Sequence, residues 1–96
     1  MAGQAPEVTR RFMVSGLVQG VGFRHFVFQR ALRLGVAGWV SNQADGRVEV
    51  VARGTEAQLS ALANWLSEGP AHARVAGVEK TEISDQIDLA KPFIIR

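Results

Sequence analysis

The sequence predicts an α+β sandwich in which two helices cover one face of a mostly antiparallel sheet. Three observations predict it. The apolar period switches between the two-residue repeat of strands and the 3.6-residue repeat of helices, in the order strand, helix, strand, strand, helix, strand. An Asp45-Gly46 pair marks a hairpin between the two middle strands. Right-handed crossovers then favour one way of combining two βαβ units that share this hairpin, the ferredoxin-like split βαβ sandwich. A chain of 96 residues suits one such domain, long enough for a real core but not for two.

Each element has its own signal. Val8 to Ser15 reads as the first strand, with Phe12 and Val14 on one face and Met13 on the other. A glycine loop follows, Gly16-Leu17-Val18-Gln19-Gly20-Val21-Gly22. From Phe23 the period changes: Phe23, Phe26, Val27, Ala31 and Leu34 share one helical face, and Gly35 is a natural stop. Val36 to Asn42 is the second strand, with Trp39 its largest side chain. Arg47 to Arg53 is the third, with Val48, Val50 and Ala52 on one side, charged residues mostly on the other, and Gly54 at its close. Thr55-Glu56-Ala57-Gln58 is a capping-box pattern. Leu59, Leu62, Ala63 and Leu66 then form a second amphipathic face that ends at Gly69-Pro70. A fourth strand runs from Arg74 to about Ile83, a polar loop from Ser84 to Lys91, and a short fifth strand over Phe93-Ile94-Ile95, where Pro92 suits a start or an edge. Residues 1–6 read as a loose tail, which leaves 7–96 as the domain.

Composition narrows the function. There are no cysteines, which excludes disulfides, thiol catalysis and cysteine-ligated zinc and fits a cytoplasmic protein. No apolar run has the length of a membrane span, so no membrane partner is expected. The net charge of +2 is too small to argue for nucleic acid. Its distribution says more: residues 1–48 carry six arginines against two acids, and residues 49–96 carry five cations against seven acids. The glycine loop therefore lies in the basic half, where a small anion is favoured.

The loop runs from a strand into a helix with Arg24 in its first turn. Glycines let a backbone turn sharply and present its N–H groups, and a helix N-terminus adds free donors and a positive dipole end. Arg24 stands at the wrong end of that dipole for a cation, which suggests an anion between them, most plausibly phosphate. The expected topology puts the end of the first strand, the start of the first helix and the end of the second strand on one rim. Arg24 and Asn42 are thereby brought near each other although 18 positions apart. Read locally, Asn42 is as well explained as a turn former. His25 follows Arg24 and projects about 100° away around the helix, so it reads as a surface or packing residue. His72 lies in a loop without a partner, and the serines lack a nucleophile-elbow context. No spacing of His, Asp or Glu resembles a metal site. The run Gly22-Phe23-Arg24-His25-Phe26-Val27-Phe28 superficially resembles an RNA-recognition motif, but its phenylalanines follow a helical period where stacking needs an exposed strand face.

Val14-Ser-Gly-Leu-Val-Gln-Gly-Val-Gly-Phe-Arg24 resembles the first motif of the acylphosphatases. Gly38-Trp-Val-Ser-Asn-Gln-Ala-Asp-Gly-Arg-Val48, with Gly54 downstream, resembles their second. The likeness extends along nearly the whole chain; Ser41 departs from it, standing where the family commonly carries a longer, often basic residue. The resemblance implies a ferredoxin-like fold and the hydrolysis of acyl phosphates to a carboxylate and inorganic phosphate, without metal or cofactor. It implies that Arg24 binds the phosphoryl group and Asn42 positions the attacking water. The amides of Gln19, Gly20, Val21, Gly22 and Phe23 would complete the cradle. Inorganic phosphate is then expected as product and competitive inhibitor, and the protein as a monomer without a nucleic-acid partner. A non-catalytic domain of the same family and an RNA-binding module are the alternatives.

Overall fold

The computed structural model describes residues 5–96. Of the expected tail, residues 1–4 lie outside the described residues, and Ala5 and Pro6 precede the first element. Five strands and two helices follow in the expected order: β1 (Glu7–Leu17), α1 (Phe23–Leu34), β2 (Ala37–Asn42), β3 (Val48–Thr55), α2 (Glu56–Glu68), β4 (Arg74–Glu82) and β5 (Ile94–Ile95). The sheet order is β4-β1-β3-β2-β5. All pairings are antiparallel except β2 with β5. This is the ferredoxin-like arrangement with a short parallel edge added. No helix among the described residues is long and apolar enough to cross a membrane.

The core lies between the helices and the inner sheet face. Phe12 and Val14 of β1, Val48, Val50 and Ala52 of β3, and Val40 of β2 meet Val27 and Ala31 of α1 and Leu59, Leu62 and Leu66 of α2, all at most 1 % exposed. The period-two and helical patterns therefore point to one shared interior. Phe93 joins this core immediately before β5 and anchors the C-terminal segment beside β2. Phe23, the first residue of α1, is also 1 % exposed. Burying such a side chain contributes roughly 1.5–3 kcal/mol, which pins the helix N-terminus to the core.

Three local readings differ from the structure. β1 extends through Gly16 and Leu17, because its pairing with β4 continues across a register shift between Ser15 and Gly16. A Cβ on Gly16 would lie 2.1 Å from the Arg74 carbonyl oxygen, so this glycine serves strand contact and not the loop. β3 likewise continues through Gly54 to Thr55, which caps α2 directly. A Cβ at Gly54 would stand 2.7 Å from Gln58 Oε1. Finally, the second sheet face is not wholly polar. Val51 is 2 % exposed there, paired with Trp39 on β2, and the Arg96 guanidinium stacks 4.3 Å from the Trp39 ring centroid.

At the sheet end away from the glycine loop, polar groups are closely matched. The largely buried Arg10 donates to Glu56 at the start of α2 and to Glu82 at the end of β4. Hydrogen bonds from Arg10 hold the Glu56 carboxyl below its usual range, and the two carboxylates push the Arg10 guanidinium further up.

Candidate active site

The rim formed by the C-terminal ends of β1 and β2 and the start of α1 encloses a cleft of about 210 Å³. Val18, Gly20, Gly22, Phe23, Arg24, His25, Asn42 and Ile95 line it. The topology explains the convergence. Val14 pairs with Val48, and Val48 pairs with Asn42, so the pairing of β1 with β3 stops at the level where β2 ends, on either side of β3.

The loop is shaped by two glycines. Gly20 and Gly22 have φ of +75° and +78°, in the left-handed region that glycine adopts without penalty. A Cβ at either position would meet no atom within 4 Å, so the space above the backbone is open. Gly22 is also the N-cap of α1. Among the described residues no side chain caps this helix, and its first turn contains no acid. Its first backbone bond runs from the Phe26 N–H to the Gly22 carbonyl at 3.1 Å. The amides of Phe23, Arg24 and His25 thus have no intrahelical acceptor. Free donors, a positive dipole end and an arginine surround the same opening.

Arg24 is exposed, and its Nη1 donates to the Arg96 carbonyl oxygen at 3.2 Å. A guanidinium has five N–H donors in one plane, so most remain for an anion in the cleft. Asn42 is half-buried at the end of β2. Its Oδ1 is buried and has no hydrogen-bond partner among the described residues. A buried acceptor without a partner costs about 1–3 kcal/mol, and such groups concentrate where a ligand or water completes the set.

The turn after Asn42 is tightly held. The Gln43 N–H donates to the Arg47 carbonyl at 2.8 Å, and the Gly46 N–H to the Gln43 carbonyl at 3.1 Å. Asp45 accepts from the Arg47 backbone N–H at 3.0 Å, which holds its carboxyl below the usual range. Ser41 turns its hydroxyl to the Asn42 carbonyl at 3.3 Å and accepts from Gln43 Nε2 at 3.4 Å, so it serves the turn and does not line the cleft.

The anticipated residues therefore divide. Gly20, Gly22, Phe23, Arg24 and Asn42 come together around the cleft, whereas Gln19 and Val21 are not among its lining residues. The Gln19 side chain reaches the β2–β3 turn, and Val21 packs against the core. Sequence reasoning missed three members of the rim, the first being Val18 within the loop itself. His25 lines the cleft while stacking on Phe28, ring centroids 6.3 Å apart. Ile95 arrives on β5, whose parallel pairing with β2 lies 50 or more positions away in sequence and leaves no local signal. His72 is exposed. Among the described residues no three His, Asp or Glu side chains gather as a metal-ligand set.

The chain is similar in sequence and fold to known proteins. The acylphosphatase family model matches residues 10–95. An acylphosphatase of Koribacter versatilis is 51 % identical over 84 % of this chain and 74 % of its own. One of Alkalilimnicola ehrlichii is 50 % identical over 81 % of this chain and 88 % of its own. The solved structure of an acylphosphatase from Coxiella burnetii superposes with a TM-score of 0.86 at 40 % identity, over 94 % of this chain and 93 % of that one. With the family model matching residues 10–95, and with sequence, fold and most of the length in common with these relatives, the chain belongs to the acylphosphatase family.

Proposed function

We propose that this protein hydrolyses acyl phosphates to a carboxylate and inorganic phosphate without a metal ion, using Arg24 and the loop amides to hold the phosphoryl group and Asn42 to orient water. Family membership supports the reaction. The observation that carries the assignment of roles is the cleft itself. It joins an uncapped helix N-terminus, an exposed arginine and a buried, unpartnered amide oxygen among the described residues.

An acyl phosphate is a mixed anhydride, so its carboxylate leaves readily and needs no strong general acid. Phosphoryl transfer through a loose transition state asks mainly for positioning and charge stabilisation. The Arg24 guanidinium and the free amides at the start of α1 bind the non-bridging phosphoryl oxygens and tighten as charge redistributes. A water O–H donates to Asn42 Oδ1, which aims the water oxygen at phosphorus opposite the leaving group. The new bond forms from the water oxygen to phosphorus. The bond from phosphorus to the acyl oxygen breaks, and its electron pair leaves on the carboxylate. An asparagine amide is no base at neutral pH, so the water proton passes to a phosphoryl oxygen and the product is monoanionic phosphate. Val18 and Ile95 give the cleft an apolar side for the acyl group. The same reading makes phosphate a competitive inhibitor, and we propose separately that the protein acts as a cytoplasmic monomer.

Steady-state hydrolysis of benzoyl phosphate tests this reading. Wild type turns over equally with and without EDTA. Asn42→Ala loses about 100- to 1000-fold in kcat while inhibition by phosphate persists, the scale expected for one preorganised polar contact. Arg24→Ala weakens both catalysis and phosphate inhibition. Near-wild-type turnover in Asn42→Ala would remove the water-orienting role, and EDTA sensitivity restored by a divalent ion would overturn the metal-free mechanism.

A further inference from the structure

The Gln19 side chain faces away from the cleft yet makes the most direct link between its two halves. Its Nε2 donates to the Gln43 carbonyl at 2.7 Å and to the Arg47 carbonyl at 2.9 Å. Both N–H groups of the amide are thereby used. The Arg47 carbonyl also accepts the Gln43 N–H at 2.8 Å, so Gln19 closes over the mouth of the β2–β3 turn. Its neighbours on either side, Val18 and Gly20, line the cleft. Gln43 directly follows Asn42, which lines the opposite wall. One half-buried amide, 24 and 28 positions from its acceptors, therefore ties the phosphate loop to the turn that directly follows Asn42.

We propose that Gln19 is a positioning residue whose side chain splints the phosphate loop to the β2–β3 turn, holding the loop amides and Asn42 in one register. The proposal rests on the roles assigned above to the loop and to Asn42. Its physical basis is that phosphate and water are held by different segments, while in-line attack depends on their relative placement. A displacement of about 1 Å between such groups costs about 100-fold in rate. Gly20 and Gly22 leave the loop free to shift, and the Gln19 amide restrains it from the side that substrate does not occupy.

The isosteric Gln19→Glu removes both donors and sets a carboxylate against two carbonyl oxygens. Gln19→Leu removes the donors without charge and serves if the first variant folds poorly. Gln19→Lys restores N–H donors on a longer stem. With benzoyl phosphate as substrate, Gln19→Glu and Gln19→Leu are expected to lose about 10- to 100-fold in kcat with KM and phosphate inhibition little changed. Gln19→Lys recovers much of that loss. On an Asn42→Ala background the same substitutions cost little more, because the group they position is gone. A merely structural Gln19 would lower the melting temperature without this pattern. Phosphate titration followed by amide NMR gives a readout independent of turnover. In wild type the shifts cross from the loop to Asn42, Gln43 and Arg47; in Gln19→Leu they remain in the loop. Wild-type kcat in both donor-free variants, or full additivity with Asn42→Ala, would overturn the splint. If wild type hydrolyses no acyl phosphate yet the shifts cross only when Gln19 is present, the proposed activity fails and the splint stands.

Discussion

Helix α2 begins beneath a complete set of caps, whereas among the described residues no side chain caps α1. At α2, Thr55 Oγ1 accepts from the Gln58 N–H at 3.1 Å, and Gln58 Oε1 accepts from the Thr55 N–H at 2.8 Å. Glu56 in the first turn complements the helix dipole and pairs with Arg10. Gln58 Nε2 also donates to the Leu34 carbonyl at 2.8 Å, near the C-terminal end of α1. At α1 the N-cap is a glycine with φ +78°, the first turn holds an arginine, and a Cβ built on the cap meets open space. Both N-termini have the same donors and the same dipole. The difference lies in what completes them: the chain's own side chains at α2, and a phosphoryl group from solution at α1 under the function proposed here.

Closing the open end tests this contrast most severely. Gly22→Asn keeps a residue that tolerates the left-handed conformation but fills the space above the cap, so folding is weakened by only about 1 kcal/mol. Turnover of benzoyl phosphate is expected to fall about 100-fold, and phosphate inhibition to weaken with it. A variant that binds phosphate as wild type does would mean that the open cap is not the anion site.

Opening the closed end has the converse result. Thr55→Ala deletes the reciprocal cap and is expected to cost about 1 kcal/mol in urea unfolding, with kcat unchanged. A fall in kcat without a fall in stability would show that the two ends are coupled.

The smallest effect is a pH dependence confined to the closed end. The Arg10 guanidinium holds the Glu56 carboxyl below the ordinary glutamate value of about 4.3. A folded-state pKa below the unfolded one stabilises fully above the unfolded value, and the contribution disappears as pH falls through the folded one. Glu56 is well exposed, so the effect is modest. Glu56→Gln should lower the melting temperature near neutral pH and leave it less sensitive than wild type to acidification below about pH 4. Parallel melting curves for the two proteins across that range would remove Glu56 from the account.

Much of this contrast is legible in the sequence. Thr55 and Gln58 announce a capping box by their spacing alone, and Gly22-Phe23-Arg24 announces a helix that starts without one. Topology puts Asn42 on the same rim as Arg24, because once two βαβ units share a hairpin the ends of β1 and β2 must fall together, while only the family resemblance implies its role. The glycines show where such reasoning stops. Gly16, Gly20 and Gly22 look alike as letters, yet Gly16 permits close contact between β1 and β4 while the other two shape an open cradle. Val51 similarly reads as one valine in an alternating strand, and its burial on the second face emerges only between its cross-strand partners, Trp39 on β2 and Arg11 on β1.

The sequence by itself determined the elements, their order, the core-facing residues and the chemical character of the first rim segment. Those properties depend on periods, caps and turn chemistry within a few residues of each position. Only the tertiary structure decided that Gln19 reaches the β2–β3 turn, that His25 and Ile95 complete the cleft, and that the Asn42 oxygen is left unpartnered among the described residues. Each of these depends on where a side chain ends relative to distant backbone, and no local pattern encodes that distance.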